Sequence, residues 1–285
     1  VLARAAERYG LAMGVGSQRA ALRRADLSES YRIVRREAPS AFLIANIGAP
    51  QLVAQSGGSA LSESQVRAAV AMIGADALAV HLNFLQEMVQ PEGDRQARGV
   101  AEALGALVQR SRVPIIVKET GAGMSRATAV RLAALGVSAL DVGGAGGTSF
   151  AAVEAVRAAA QGAAASARLG ELLRDWGVPT AVSVVGAAAA GVPIIATGGI
   201  RSGLDAARAL ALGASLVGVA RPLAQAALEG DEAVDGWVGQ FLNELRAVLL
   251  LTGSVDAAAL RAKPRVVLGA TESWLRQLGY LAATG

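Results

Sequence analysis

The sequence predicts an α/β chain wound as a TIM (β/α)8 barrel. Three observations carry that reading. Short β-rich runs alternate with longer helical stretches, which implies a parallel sheet. Several runs are apolar at consecutive positions, as strands buried on both faces are. Polar or glycine-rich residues close nearly every run, and a barrel gathers its chemistry on that one rim. An open doubly wound sheet would concentrate such residues at a single switch point.

Taken in order, residues 1–10 (VLARAAERYG) read as a helix ended by glycine. Seven strand runs follow: 12–16, 42–47, 77–82, 114–119, 139–144, 193–199 and 216–221. Their C-terminal ends carry Ser17 and Gln18, Asn46, His81 and Asn83, Lys118 and Glu119, the stretch 143–148, Gly198 to Arg201, and Arg221. Helices are expected at 125–135 and 204–212. A closed barrel needs eight strands, so the first is expected ahead of Val1. Residues 55–60 (QSGGSA) read as a flexible loop. Residues 158–167, nearly all Ala, Gly and Ser, read as helix or as a poorly constrained loop. Residues 231–251 read as an amphipathic helix that closes the bottom of the barrel or meets another subunit. The chain, 1–285, is read as one domain with a helical tail from about 231.

Bulk composition narrows the partners. A hydrophobic fraction of 53% with 18% charge suits a large core and excludes disorder. The net charge is +4, and the densest basic stretch, Arg19 to Arg36, is interspersed with acids. That favours a solvated helix face plus an anion site over nucleic-acid binding. The absence of cysteine excludes disulfides, thiolate metal sites and cysteine nucleophiles. No apolar run is long enough to span a membrane, so a cytoplasmic location is the expectation.

The stretch 194–223 is the most informative. One strand ends in Gly198-Gly199, a helix starts near Gly203, and the next strand ends at Val219-Ala220-Arg221. Barrels commonly bind phosphate in the loops after their last two strands, where glycine and a helix N-terminus expose backbone N–H groups. Arg201 can add a charged fork.

Three further motifs discriminate: His81-Leu82-Asn83-Phe84-Leu85-Gln86-Glu87 with Gln90-Pro91-Glu92-Gly93-Asp94-Arg95; Val117-Lys118-Glu119 with Gly121, Gly123 and Met124-Ser125-Arg126; and Asp141 to Thr148 followed by Glu154. With residues 13–19 (MGVGSQR), they resemble the type 2 isopentenyl-diphosphate delta-isomerases, in order and spacing, from Val1 to about Leu223. The resemblance implies an enzyme that uses reduced FMN and Mg2+, with NADPH as reductant, to interconvert isopentenyl and dimethylallyl diphosphate in isoprenoid biosynthesis. It implies a homo-oligomer, a tetramer or larger. Carried over by motif, Ser17 touches flavin and substrate, and Gln18 and Arg19 meet the diphosphate. Asn46, Lys118 and Thr148 bind the flavin. Gly198, Gly199, Arg201, Ala220 and Arg221 hold its phosphate. Asn83 and Gln86 face the substrate, and Glu87 is the Mg2+ ligand. Gln86, His81 and Glu154 are the catalytic candidates. The family's N-terminal Arg-Lys contact and its Met-Thr-Gly flavin loop have no counterpart here, and Arg221 stands where the family often has glycine.

The residues fit that chemistry. Protonating an unactivated alkene builds carbocation character that water would trap, so the site must be dry and its donors fixed. Glu87 is a hard oxygen ligand suited to Mg2+ shared with a diphosphate. Lys118 can stabilise an anionic reduced flavin, or pair with Glu119. His81, the only histidine, is a pocket group or a satisfied core residue. Glu154 handles protons or lies on an exposed helix face. Two other readings stand beside the isomerase: an FMN-dependent 2-hydroxy-acid oxidase or dehydrogenase, whose chemistry needs a histidine on a late loop, and a non-catalytic flavin-binding barrel.

Overall fold

The computed structural model describes residues 1–281. Seven strands form one sheet: β1 Met13–Gly14, β2 Leu43–Gly48, β3 Ala77–Leu82, β4 Ile115–Glu119, β5 Ala139–Asp141, β6 Ile194–Ala196 and β7 Leu216–Val217. All six pairings are parallel and join strands in sequence order, the order of a TIM-barrel-like fold. The described residues hold seven strands, and the expectation of an eighth is not tested by them. The strands fall within the expected runs or one residue beyond them, but β1, β5, β6 and β7 end short of the expected bounds. Their glycines leave the ladder early to form loops.

Alternation along each strand divides the apolar residues between two faces. Leu43, Ala45, Ile47, Leu78, Val80, Ile115, Val117, Leu140, Ile194 and Ala196 pack outward against the helices as the main core. Ile44, Ala77, Ile116, Ala139 and Ile195 form a separate cluster on the inner face. Both faces are therefore apolar, which is why the runs read as continuous. One step toward the C-terminal ends, the inner face turns polar: His81 pairs in register with Lys118, and Lys118 with Asp141.

The first helix, Leu2–Tyr9, ends at Gly10 in the left-handed region (φ 62), as expected. Asp231–Leu251 is a helix with the expected bounds. It packs in the outer layer against the Gly203–Leu212 helix and the first helix. Arg4 reaches Asp231 (2.7 Å), and Glu244 accepts the Gly203 N–H (2.7 Å). Residues 158–167 are mostly helix: the end of Phe150–Ala160, a turn at Gly162 (φ 73), and the start of Ala164–Leu172. The 55–60 stretch is less loose than expected. Gln55 and Gly58 form an antiparallel bridge, and the Gln55 amide is bonded to Pro50 O (2.6 Å) and to both backbone groups of Gln96.

Candidate active site

The rim holds two differently built halves. After β1, the chain turns into the Arg19–Arg23 helix. Adjacent side chains on that turn point apart. Arg19 faces the rim, where it pairs with Asp94 (2.7 Å) and approaches Glu87 (3.9 Å). Gln18 is 0% exposed, and its amide is spent on Ala69 O (2.9 Å) and Asn46 N–H (2.9 Å). Gln18 therefore ties β2 to the Glu63–Met72 helix, and its side chain is turned away from the rim, unlike the diphosphate role that the family motif implies for it. Ser17 stays exposed, its carbonyl taken by the Tyr31 hydroxyl (2.6 Å).

Asn46 joins two strands. Its Nδ2 donates to Val15 O (3.0 Å) and its Oδ1 lies 2.7 Å from His81 Nδ1. Because Oδ1 only accepts, His81 carries its proton on Nδ1 and offers Nε2 as a lone pair. Burial pushes the imidazole down to about 3, and the Lys118 ammonium and Arg19 guanidinium act in the same direction. His81 is thus a neutral wall of the pocket at physiological pH, not an acid.

After β3, the Phe84–Val89 helix places Gln86 and Glu87 on different centres. Glu87 is 3% exposed. Its Oε1 accepts from Asn83 Nδ2 (2.9 Å) and its Oε2 from the Asp94 N–H (2.7 Å). The 90–95 turn folds so tightly over this helix that a Cβ at Gly93 would collide with the Glu87 carbonyl. Gln51 Nε2 bonds Asp94 (3.2 Å). Two buried acceptors here, Asn83 Oδ1 and Gln51 Oε1, have no partner among the described residues. Acceptors left over beside two carboxylates fit a hard cation. No cluster of three or more His, Cys, Asp or Glu is present among the described residues, so such a cation would draw its remaining ligands from substrate and water.

Gln86 turns the other way and donates to Glu154 Oε1 (2.8 Å). Glu154 sits on the Phe150–Ala160 helix and is 2% exposed, which removes the exposed-face reading.

Lys118 and Glu119 occupy opposite faces of β4 and make no ion pair among the described residues. Glu119 instead accepts the N–H groups of Thr120 and Ala122 (both 2.6 Å), and burial raises its carboxyl to about 7. Among the described residues the Lys118 ammonium, on the inner face, has no hydrogen-bond or ion-pair partner, which suits it to an anionic guest. Beside it, Asp141 is packed round by protein. Desolvation raises its carboxyl above the usual range, against the bonds from Thr197 Oγ1 and Gly143 N–H.

The late half is built from backbone. The 143–148 loop and the Gly198-Gly199 turn interlock: a Cβ at Gly198 (φ 102) would collide with Gly144, and one at Gly199 (φ 81) would sit 2.6 Å from Gly146 O. Thr180 Oγ1 donates to Gly198 O (2.6 Å). Arg201 bridges Gly199 O (2.9 Å) and Gly146 O (2.8 Å), leaving three of its five N–H donors for an anion. The Gly199 and Ala220 N–H groups have no backbone partner among the described residues, and Arg221 opens the Arg221–Glu229 helix. Uncommitted N–H groups at a helix start fit a phosphate. Thr148 lines the neighbouring loop, its carbonyl against Gly121. Sequence reasoning assigned no role to Gln51, Thr180 or Thr197; only contacts across loops reveal them.

Residues 2–266 match the FMN-dependent dehydrogenase family. An isopentenyl-diphosphate delta-isomerase of Methanosarcina barkeri is 48% identical over 279 residues, 98% of this chain and 74% of that protein. One from Methanothermobacter thermautotrophicus is 46% identical over 280 residues, 98% and 75% of the two chains. Among solved structures, mandelate oxidase with (S)-2-phenylpropionate aligns with a TM-score of 0.59 at 21% identity, over 91% of this chain and 70% of that one. Inosine 5'-monophosphate dehydrogenase from Legionella pneumophila aligns with a TM-score of 0.56 at 19% identity, over 85% and 77%. These two speak for the fold alone. The chain belongs to the FMN-dependent dehydrogenase family and, within it, stands with the isopentenyl-diphosphate delta-isomerases that it matches along nearly its whole length.

Proposed function

We propose that the chain interconverts isopentenyl and dimethylallyl diphosphate, a redox-neutral shift of one double bond. One observation carries the reading: Gln86 and Glu87, neighbours on a single helical turn, serve a buried carboxylate, Glu154, and an acid–arginine corner respectively. A short alkenyl diphosphate needs both within its own length. Proton handling belongs at the alkene and charge neutralisation at the phosphates.

The 2-hydroxy-acid reading lacks its base. His81 is the only histidine, it sits early in the rim, and its lowered pKa keeps it neutral. It serves here as a dry wall against a developing cation.

Bound reduced FMN would supply the acid/base relay to the alkene. Lys118, Asn46, Ser17 and Thr148 are the side chains for its ring. Gly198, Gly199, Arg201, Ala220 and Arg221 are the cradle for its phosphate. Glu87 would hold Mg2+, which would supply charge neutralisation for the diphosphate, with Arg19 as the fixed cation beside it. Asn83 sets the Glu87 carboxylate. Gln86 gives its N–H to Glu154, which directs its amide oxygen away from that helix. Glu154 then holds the Gln86 amide in that orientation at the alkene. The family resemblance also supports NADPH as the reductant, a cytoplasmic setting and a homo-oligomer, a tetramer or larger. Among the described residues no helix is long and apolar enough to cross a membrane.

The test is anaerobic incubation of the full-length protein with FMN, NADPH, Mg2+ and isopentenyl diphosphate, followed by NMR. Dimethylallyl diphosphate formed only with FMN and reductant, without stoichiometric NADPH consumption, is the expected result. FMN binding without product would overturn the substrate assignment, and a lactate-type substrate oxidised instead would favour the hydroxy-acid reading.

A further inference from the structure

Glu154 is nearly sealed from solvent, and a buried carboxylate needs charge and hydrogen-bond partners. It has three, all side chains. Gln86 and Gln90, one turn apart, both donate to Oε1 (2.8 and 2.7 Å), and Arg157, one turn along Glu154's own helix, donates to Oε2 (2.6 Å). Arg157 is half exposed, and its second terminal nitrogen lies 3.8 Å from Glu92 in the turn after Gln90.

We infer that Arg157 and Gln90 are positioning residues for the Gln86–Glu154 pair, an inference that rests on the isomerase reading above. Clamping both oxygens fixes the carboxylate plane. With Arg157 on one oxygen and Gln90 on one side of the other, a single direction remains for the Gln86 amide. Gln86 must then present its N–H to Glu154 and its oxygen elsewhere. The clamp thus carries an orientation from the protein surface, at Arg157 and Glu92, to the reacting site. Neither Arg157 nor Gln90 touches substrate. The Arg157 contact uses one nitrogen on one oxygen, so a lysine can replace it, which a bidentate fork would not allow.

The test uses the full-length protein with FMN, NADPH, Mg2+ and isopentenyl diphosphate, without oxygen. Arg157→Met is expected to lower kcat by about 30-fold, the scale of a misplaced catalytic group. KM and FMN affinity, the latter read by fluorescence titration, stay within about twofold. Arg157→Lys restores most of kcat, and Gln90→Leu lowers it by roughly 5-fold. In a Glu154→Gln background, Arg157→Met changes kcat by less than about twofold, because groups acting as a unit are not additive. A rise in KM at constant kcat would make Arg157 a substrate ligand and overturn the inference, as would losses that multiply in the double variant. If Glu154→Gln inactivates but Arg157→Met does not, the positioning role falls and the isomerase reading stands. If Glu154→Gln keeps full kcat, the pair itself has no catalytic role and the positioning inference falls, whereas absence of isomerisation by the unsubstituted protein would overturn the isomerase reading itself. Urea midpoints separate misfolding from misplacement, and Gln90→Leu, with its expected roughly 5-fold loss of kcat, serves if Arg157→Met fails to fold.

Discussion

Around the rim, the loops after β1 to β3 hold one another through side chains: Gln18 on β2, Asn46 on His81, Asn83 and Arg19 on Glu87, Gln51 and Arg19 on Asp94. The loops after β5 and β6 hold one another through glycine backbone, with Gly144 against Gly198 and Gly146 against Gly199. Side chains supply directed charge and a defined proton position, which a metal–diphosphate corner needs. Backbone supplies close approach and uncommitted N–H groups, which a phosphate and a flat ring need. Each half should therefore fail in its own way.

The sharpest break is expected at Glu87. Glu87→Gln puts an amide into a pocket that presents donors to both carboxylate oxygens, and should lower Mg2+-dependent kcat by about 1000-fold. FMN affinity should hold. Loss of FMN instead would join the two halves and cancel the contrast. In the late half, Gly198→Ala forces a side chain into a left-handed position against Gly144, and should cost about 3 kcal/mol in urea denaturation together with FMN affinity. Unchanged stability would show that the loops can slide apart.

Glu119 stands between the halves and allows a pH test. Its folded pKa of about 7 lies above the ordinary 4.5, so its contribution to stability is complete below pH 4.5 and lost as pH rises through 7. His81 has the opposite sign: depressed from 6.5 to about 3, it costs stability as pH falls through that window. Between 4.5 and 6.5 the two oppose. Glu119→Gln should leave stability climbing with pH more steeply than in the parent chain, by up to about 1.4 kcal/mol per pH unit. Urea midpoints across the range measure it, and parallel curves would mean that Glu119 titrates normally. The smallest effect is expected at Thr180→Val, which removes one bond to Gly198 O and should cost about 1 kcal/mol with a modest loss of FMN affinity. No change in either would leave the interlock resting on glycine alone.

The backbone half was the more legible in sequence. Gly143 to Gly147 and Gly198-Gly199 announce close approach wherever they fall, and the strand–helix rhythm around them places the loops. The side-chain half was legible as a set of residues but not as a set of contacts. Gln18 and Arg19 are neighbours with opposite destinations, one buried against Ala69 and one facing Asp94. Glu119 sits beside Lys118 in the chain and across the sheet from it in space. Asp94 was visible in its motif, yet its grip on Glu87 comes from a backbone N–H, which no residue type encodes. Gln51 and Thr197 act from other loops and leave no local signature.

The strictly sequential strand order bears on how the chain reaches this state. Among the described residues, every ladder joins a strand to the next one made. A chain emerging from the ribosome can add each strand to the edge just formed, while its intervening helix covers the fresh outer face. The ordering of synthesis and the ordering of the sheet coincide, and the docking of the 231–251 helix on the first helix through Arg4 and Asp231 comes after the sheet is laid down.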